Sequence, residues 1–257
     1  MNLKFVINEK YLFYTALIDG VEVEGWEELQ NTFWDKYRSG YQFLQGYLNK
    51  AFVFDEPFLY LSKSMEDAQK LVDEGMHTPL FNELLILTTE YKKWLEKNWN
   101  TNKDKVKMEL KDILGIELPQ TETNVLVVSN KMKGGQHIDS GVIMWGHSED
   151  WPNYSLVYLA HEYLHDIFEP GELEHAVIEL IADNELRVRL NKGGDYFVCD
   201  GNNVGHVYLK NIENSILADW HSYLKDKNRD IFDFVRKLKS KYPNLTSERK
   251  FERIDLE

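Results

Sequence analysis

Apolar residues recur at helical spacing through two neighbouring segments in the second half of the chain. In the first, Leu156, Val157, Leu159, Ala160, Leu164, Ile167 and Phe168 occupy the positions that a packed helix buries. Asn153, after Pro152, stands where an N-cap is expected, and Pro170-Gly171 marks a stop. In the second segment, from Glu172 to Leu190, the stripe is Leu173, Ala176, Val177, Leu180 and Ile181. His175, Glu179 and Asp183 run beside it at i, i+4 and i+8. A polar row bordered by apolar neighbours suits the lining of a buried polar site better than a solvated face. A chain folded back at Pro170-Gly171 would set residues 175–179 opposite residues 161–165.

Elsewhere the pattern predicts mostly helix, then a small sheet. A short strand fits Leu3 to Ile7, and Gly25 to Asn49 reads as helical, with core-type aromatics Trp26, Phe33, Trp34, Tyr37, Tyr41 and Phe43. Ser64-Met-Glu-Asp67 resembles a capping box for a helix ending at Glu74 with Gly75 as its cap. Thr78-Pro79 opens another that keeps its period to about Asn98, and a separate helix is expected from Lys103 to Leu114. Leu118-Pro119-Gln120-Thr121 marks a boundary. The β-branched run from Asn124 to Ser129 reads as a buried strand, Lys133-Gly134-Gly135 as a turn, and Ser140 to Trp145 as a second strand. Downstream come Gly193-Gly194 as a break, a strand from Tyr196 to Cys199, a turn at residues 200–203, and helices near Leu209 to Lys225 and Arg229 to Tyr242. The expected class is α+β and mostly helical, with a helical region over 1–118 and a second region over 119–257. A single continuous domain fits the same pattern.

The chemistry enters at His161-Glu162-Tyr163-Leu164-His165. Two histidines four apart on a helix lie roughly 40° apart around the axis and one turn along it, so both imidazoles can close on one metal ion. Glu162 projects beside them, where a carboxylate can take a proton from a water. That is the physical content of a His-Glu-x-x-His motif. A third donor is sought in the polar row, where both Glu179 and His175 are candidates; Glu172, Glu174 and Glu185 are expected to be solvated charges.

In these residues the chain resembles the gluzincin metallopeptidases, whose ion is held by two histidines and a downstream glutamate. Glu179-Leu-Ile-Ala-Asp183 is similar to the Glu-x-x-Ala-Asp element of the CAAX-prenyl protease branch. The resemblance covers about 30 residues, from Tyr154 to Asp183. It implies Glu179 as the third zinc ligand and Asp183 as the carboxylate that orients His161. It also implies a zincin-like domain, with a small sheet packed on the motif helix and an edge strand, here Gly141 to Trp145, that pairs with extended substrate. Gluzincins commonly use a downstream Tyr or His at the oxyanion. His206 and Tyr208 are the catalytic candidates by position, with His221 and Tyr223 behind them. The metzincin pattern does not fit, because its Gly and third His would fall on Phe168 and Gly171. The aminopeptidase N glutamate would fall on Asn184.

Composition narrows the function further. A net charge of −13 argues against a nucleic-acid partner, which needs a basic stripe; the basic run from Arg236 to Lys241 sits at a helix end, where cations offset the dipole. One cysteine, Cys199, excludes an intrachain disulfide and suits a reducing compartment, and on its strand it is expected to be packed core. No apolar run approaches the roughly 18 residues of a membrane span, and Asn8-Glu9-Lys10 interrupts any leader-like stretch, so a cytoplasmic location is expected. His137 and His147 are expected in surface loops. The function that follows is zinc-dependent hydrolysis of a peptide or protein substrate. The alternative is a catalytically idle zincin-like domain that binds metal and serves as an interaction or regulatory module.

Overall fold

The computed structural model describes residues 1–46 and 63–245; the last three residues of the helix expected over 25–49 and the chain end after residue 245 lie outside the described residues. The fold is mostly helical with a small sheet. It separates into two compact units interleaved in sequence: Asn2–Asn100 with Glu122–Ser148, and Met1 with Thr101–Thr121 and the chain from Glu149 onward.

The first unit holds a four-stranded sheet of β1 (Asn2–Val6), β2 (Glu122–Val127), β3 (Gly134–Asp139) and β4 (Val142–Gly146) in the order β1-β2-β4-β3. β1 runs parallel to β2, from Asn2 opposite Glu122 to Val6 opposite Leu126, and β2 runs parallel to β4. β3 pairs antiparallel with β4, and the register shifts between His137 and Asp139. The substrate-pairing edge expected at Gly141 to Trp145 is therefore corrected. β4 has a partner on both sides and all five of its residues are buried, as a continuous apolar run in a central strand requires. The edges are β1 and β3, and His137 lies in β3 rather than in a loop.

Helices α1 (Glu9–Asp19), α2 (Trp26–Lys36), α3 (Arg38–Gly46) and α4 (Lys63–Gly75) complete this unit. α1 is buried along most of its length, which leaves it without an amphipathic period to read. Phe13 is the hub: Trp26, Phe33 and Phe81 meet its ring edge-on at 6.3, 6.1 and 5.6 Å.

α5 (Pro79–Leu114) is one helix of 36 residues, where two had been expected. The polar stretch Asn100-Thr-Asn-Lys103 looks like a break, yet Leu95, Trp99, Val106, Leu110 and Ile113 carry a buried stripe across it.

The second unit is built around α6 (Tyr154–Leu164) and a helical rod of three parts: α7 (Glu172–Glu179), a π-helical segment (Leu180–Leu186) and α8 (Arg187–Leu190). α9 (Lys210–Lys225) and α10 (Ile231–Lys241) pack on α7. Between rod and α9 stands a two-residue hairpin, β5 (Val198–Cys199) with β6 (Asn202–Asn203). Cys199 is half-exposed there, not the packed core residue expected, because a two-stranded ribbon has no second layer to bury it.

Candidate metal centre

α6 starts differently from the expectation. Asn153 occupies the N-cap in a left-handed conformation (φ 67°) and makes no side-chain cap; its amide donates instead to Asn191 at 2.7 Å. Glu149 does the capping, accepting from the Ser155 N–H at 2.9 Å. His161, Glu162 and Leu164 are buried on this helix, and His165 forms its C-cap.

The rod presents the polar row. From Ala176 to Asn184 every residue is buried, so Glu179 and Asp183 lie in the interior. The π-helical turn has an extra residue per turn, which re-aims side chains within it relative to an unbroken α-helix. Asp183, inside that turn, meets His161 with Oδ1 at 2.8 Å from Nδ1. Glu179, just before it, faces the segment after the hairpin, where Oε1 accepts from the His206 backbone N–H at 2.8 Å and the ring Nδ1 at 2.6 Å.

Four imidazoles gather around these two carboxylates. Ring centroids lie 5.2 Å apart for His161 and His165, 4.8 Å for His165 and His175, 5.3 Å for His161 and His175, and 4.8 Å for His175 and His206. Among the described residues, two sets of three have ligand atoms all within 4.8 Å of one another: His161 with His165 and His175, and His175 with Glu179 and His206. The structure thus brings both motif histidines to His175. Glu179 Oε1 lies 4.0 Å from His175 Nε2 but does not form a set with His161 and His165.

Other candidates are placed as follows. Tyr208 lies beside His206, ring centroids 5.2 Å apart and planes tilted by 54°. Tyr223 is buried elsewhere, its hydroxyl donating to the Ile113 and Leu114 carbonyls, and His221 is exposed on α9. Glu174, expected to be solvated, is buried and paired with Lys239, and Glu185 pairs with Arg189 at 2.7 Å.

Several partners were not legible in the sequence. Lys210 reaches Glu179 Oε2 at 3.3 Å and Glu213 Oε2 at 2.6 Å. Asn184 donates to the Glu179 carbonyl at 2.9 Å. Lys210 and Glu213 open an ordinary amphipathic helix, and the one sign of their role is a Glu placed on its apolar face beside Ile212 and Ile216.

The charges respond to this setting. Burial disfavours an imidazolium at His161, but the Asp183 carboxylate outweighs it and pushes the pKa up to about 9. Burial raises Asp183, against the pull of His161. At Glu179 burial also works against ionisation, yet the His206 hydrogen bonds and Lys210 hold the carboxyl below its usual range. Glu213 is pushed up to about 8 by burial and by Glu179, in spite of Lys210.

Lys210 is shared by two buried carboxylates, Glu179 and Glu213, and Asp183 Oδ2 is buried without a hydrogen-bond partner among the described residues. Buried charges are paired or coordinate metals. With Nδ1 hydrogen-bonded to a carboxylate, His161 leaves Nε2 as the nitrogen that could take a metal, the arrangement usual for a metal-ligating histidine. A set of imidazoles with a carboxylate at hand suits Zn²⁺, so the residues present fit the ion. Among the described residues no helix is long and apolar enough to cross a membrane. No known family model, curated protein or solved structure matches this chain.

Proposed function

We propose that the chain is a zinc-dependent hydrolase of peptide bonds, with a gluzincin-like centre in a zincin-like domain. The observation that carries this is the convergence of His161 and His165 on a third donor from the rod, beside a nearly buried Glu162. The motif pair supplies two ligands and α7 the third. His175 shares a set with both motif histidines and Glu179 Oε1 stands 4.0 Å from its Nε2; either would complete three protein donors able to hold Zn²⁺.

A bound Zn²⁺ supplies Lewis-acid polarisation of the scissile carbonyl and lowers the pKa of water toward 7. The chain's own residues do the rest. Glu162, next to His161 in the chain, adds a charge that favours the imidazolium. It takes a proton from the attacking water and returns it to the leaving amine nitrogen. Asp183 holds His161 through Nδ1, and the exposed His206, with Tyr208 beside it, is available to a developing oxyanion.

The test is Glu162→Gln against a peptide library. The variant should keep the wild-type zinc content and lose cleavage. Wild-type protein with stoichiometric zinc and no cleavage of any peptide would contradict the hydrolase and favour the idle module.

A further inference from the structure

The donors at the centre divide into two triads that overlap in one residue. His161, His165 and His175 form the first; His175, Glu179 and His206 form the second. In each, the ligand atoms lie within 4.8 Å of one another, so small side-chain rotations bring them to Zn–N and Zn–O bonds of about 2.0–2.2 Å. The second triad contains neither motif histidine, and nothing in the His-Glu-x-x-His pattern calls for it. His175 stands between the two. Its ring centroid is 4.8 Å from that of His165 and 4.8 Å from that of His206, with planes at 77° and 70°. An imidazole has two ring nitrogens that point in different directions, and either can ligate a metal. With its ring proton lost to solvent, His175 can serve a cation on each side.

The fold places the second triad with some precision. Gly205, whose φ of 75° favours glycine, packs directly on the carboxylates: a Cβ there would lie 2.3 Å from Glu179 Oε2 and 3.1 Å from Asp183 Oδ2. That close approach sets the next peptide so that the His206 N–H reaches Glu179 Oε1 at 2.8 Å, with the ring Nδ1 2.6 Å from the same oxygen. Glu179 is fully buried, and Lys210, the ammonium on its Oε2, is shared with the buried Glu213. A buried carboxylate that has only a share of one ammonium suits a metal cation. The His206 ring is 47% exposed, so the triad opens to solvent.

We propose that His175, Glu179 and His206 form a second zinc site, joined to the motif site through the His175 ring. This rests on the zinc reading above and adds an ion to it: an inner one on His161, His165 and His175, and an outer one on His175, Glu179 and His206. The outer ion is the weaker, because the inner ion and the Lys210 ammonium both repel it. Protein as isolated therefore carries the inner ion, and the outer triad fills when zinc is added. While it is filled, His206 is a ligand and no longer available to the oxyanion.

The experiment is a calorimetric titration of wild type and His206→Ala with zinc, repeated with cobalt(II) for its paramagnetic resonance. Wild type holding its first ion should take up a second per chain. His206→Ala should keep the first ion and bind the second at least about tenfold more weakly, a loss that even an outer-shell partner can bring. In the two-cobalt wild type the resonance should fall below twice that of the one-cobalt form, because a shared imidazole couples the two spins. A wild type that saturates at one ion would overturn the second site, as would a second ion bound equally well by His206→Ala. Two uncoupled cobalt signals would overturn the junction at His175, and loss of both ions in His206→Ala would make His206 part of the first site. A wild type that takes up no ion would overturn the motif site as well.

Discussion

The two units bury different things. In the first, the buried polar side chains among the described residues are the hydroxyls of Thr15, Thr88, Thr123 and Ser129, set among aromatic and aliphatic packing. In the second, the buried set includes His161, Glu162, Glu174, Glu179, Asp183, Asn184, Arg187 and Glu213. Hydroxyls are cheaply satisfied by a nearby carbonyl, as Thr15 is by Tyr11 and Thr88 by Leu84. Ionised groups in an interior cost far more unless paired or bound to a cation. The second unit therefore carries a cost that the first avoids, and the metal centre proposed above would offset it. The contrast singles out the second unit, independently of any motif, as the one that buries charged side chains among the described residues.

Substitutions can break this contrast. The largest effect belongs to Glu162→Gln, for which loss of a general base lowers turnover about 10²- to 10⁴-fold with zinc content unchanged, measured on the best substrate of the library. In the first unit Phe13→Ala removes the hub of the aromatic cluster and should cost about 3–5 kcal/mol in denaturant unfolding. Its zinc affinity should match the wild type; a loss of affinity would blur the division of labour. Asp183→Ala should weaken zinc binding about 10- to 100-fold, since it removes the partner of His161 Nδ1. Asp183→Asn, which still accepts at Nδ1, should recover part of that loss.

The smallest effect is a pH dependence outside the site. Asp112 is held below its usual carboxylate range by the hydrogen bond from Arg189, with Arg229 adding its charge. A depressed carboxylate contributes stability that is present above its unfolded pKa, near 4 in model peptides, and is lost as pH falls through the folded value. Asp112→Asn should therefore flatten the acid side of the stability profile slightly and leave stability above pH 6 little changed beyond the missing ion pair. Its carboxylate is half-exposed, so solvent screening keeps the effect small. A steeper acid limb in the variant would contradict the assignment.

Much of this was legible in the sequence, and the gaps have physical causes. The α6 stripe and the His-Glu-x-x-His spacing are local patterns, and local patterns survive in a linear chain. The pairing of Asp183 with His161 follows from the resemblance together with the fold-back at Pro170-Gly171. Hidden from the sequence were features set by distant partners. β1 pairs in parallel with a strand more than a hundred residues away, which no turn signal announces. β4 reads as a strand, but whether it lies at an edge depends on where β3 goes. The π-helical turn leaves no periodic mark in the sequence. His206 was a candidate by position only; its bond to Glu179 depends on Gly205 lying flat against two buried carboxylates.

The most direct test of the central claim, that His161 and His165 share one cation with a donor from the rod, is metal content. Protein purified without chelator and analysed for zinc beside His161→Ala, His175→Ala and Glu179→Ala should carry one ion per chain in the wild type and close to none in His161→Ala. Both rod variants, His175→Ala and Glu179→Ala, should carry less zinc than the wild type, and the one that loses more identifies the third donor. Wild-type protein without zinc, unable to take it up and with a melting temperature indifferent to chelator, would contradict the account.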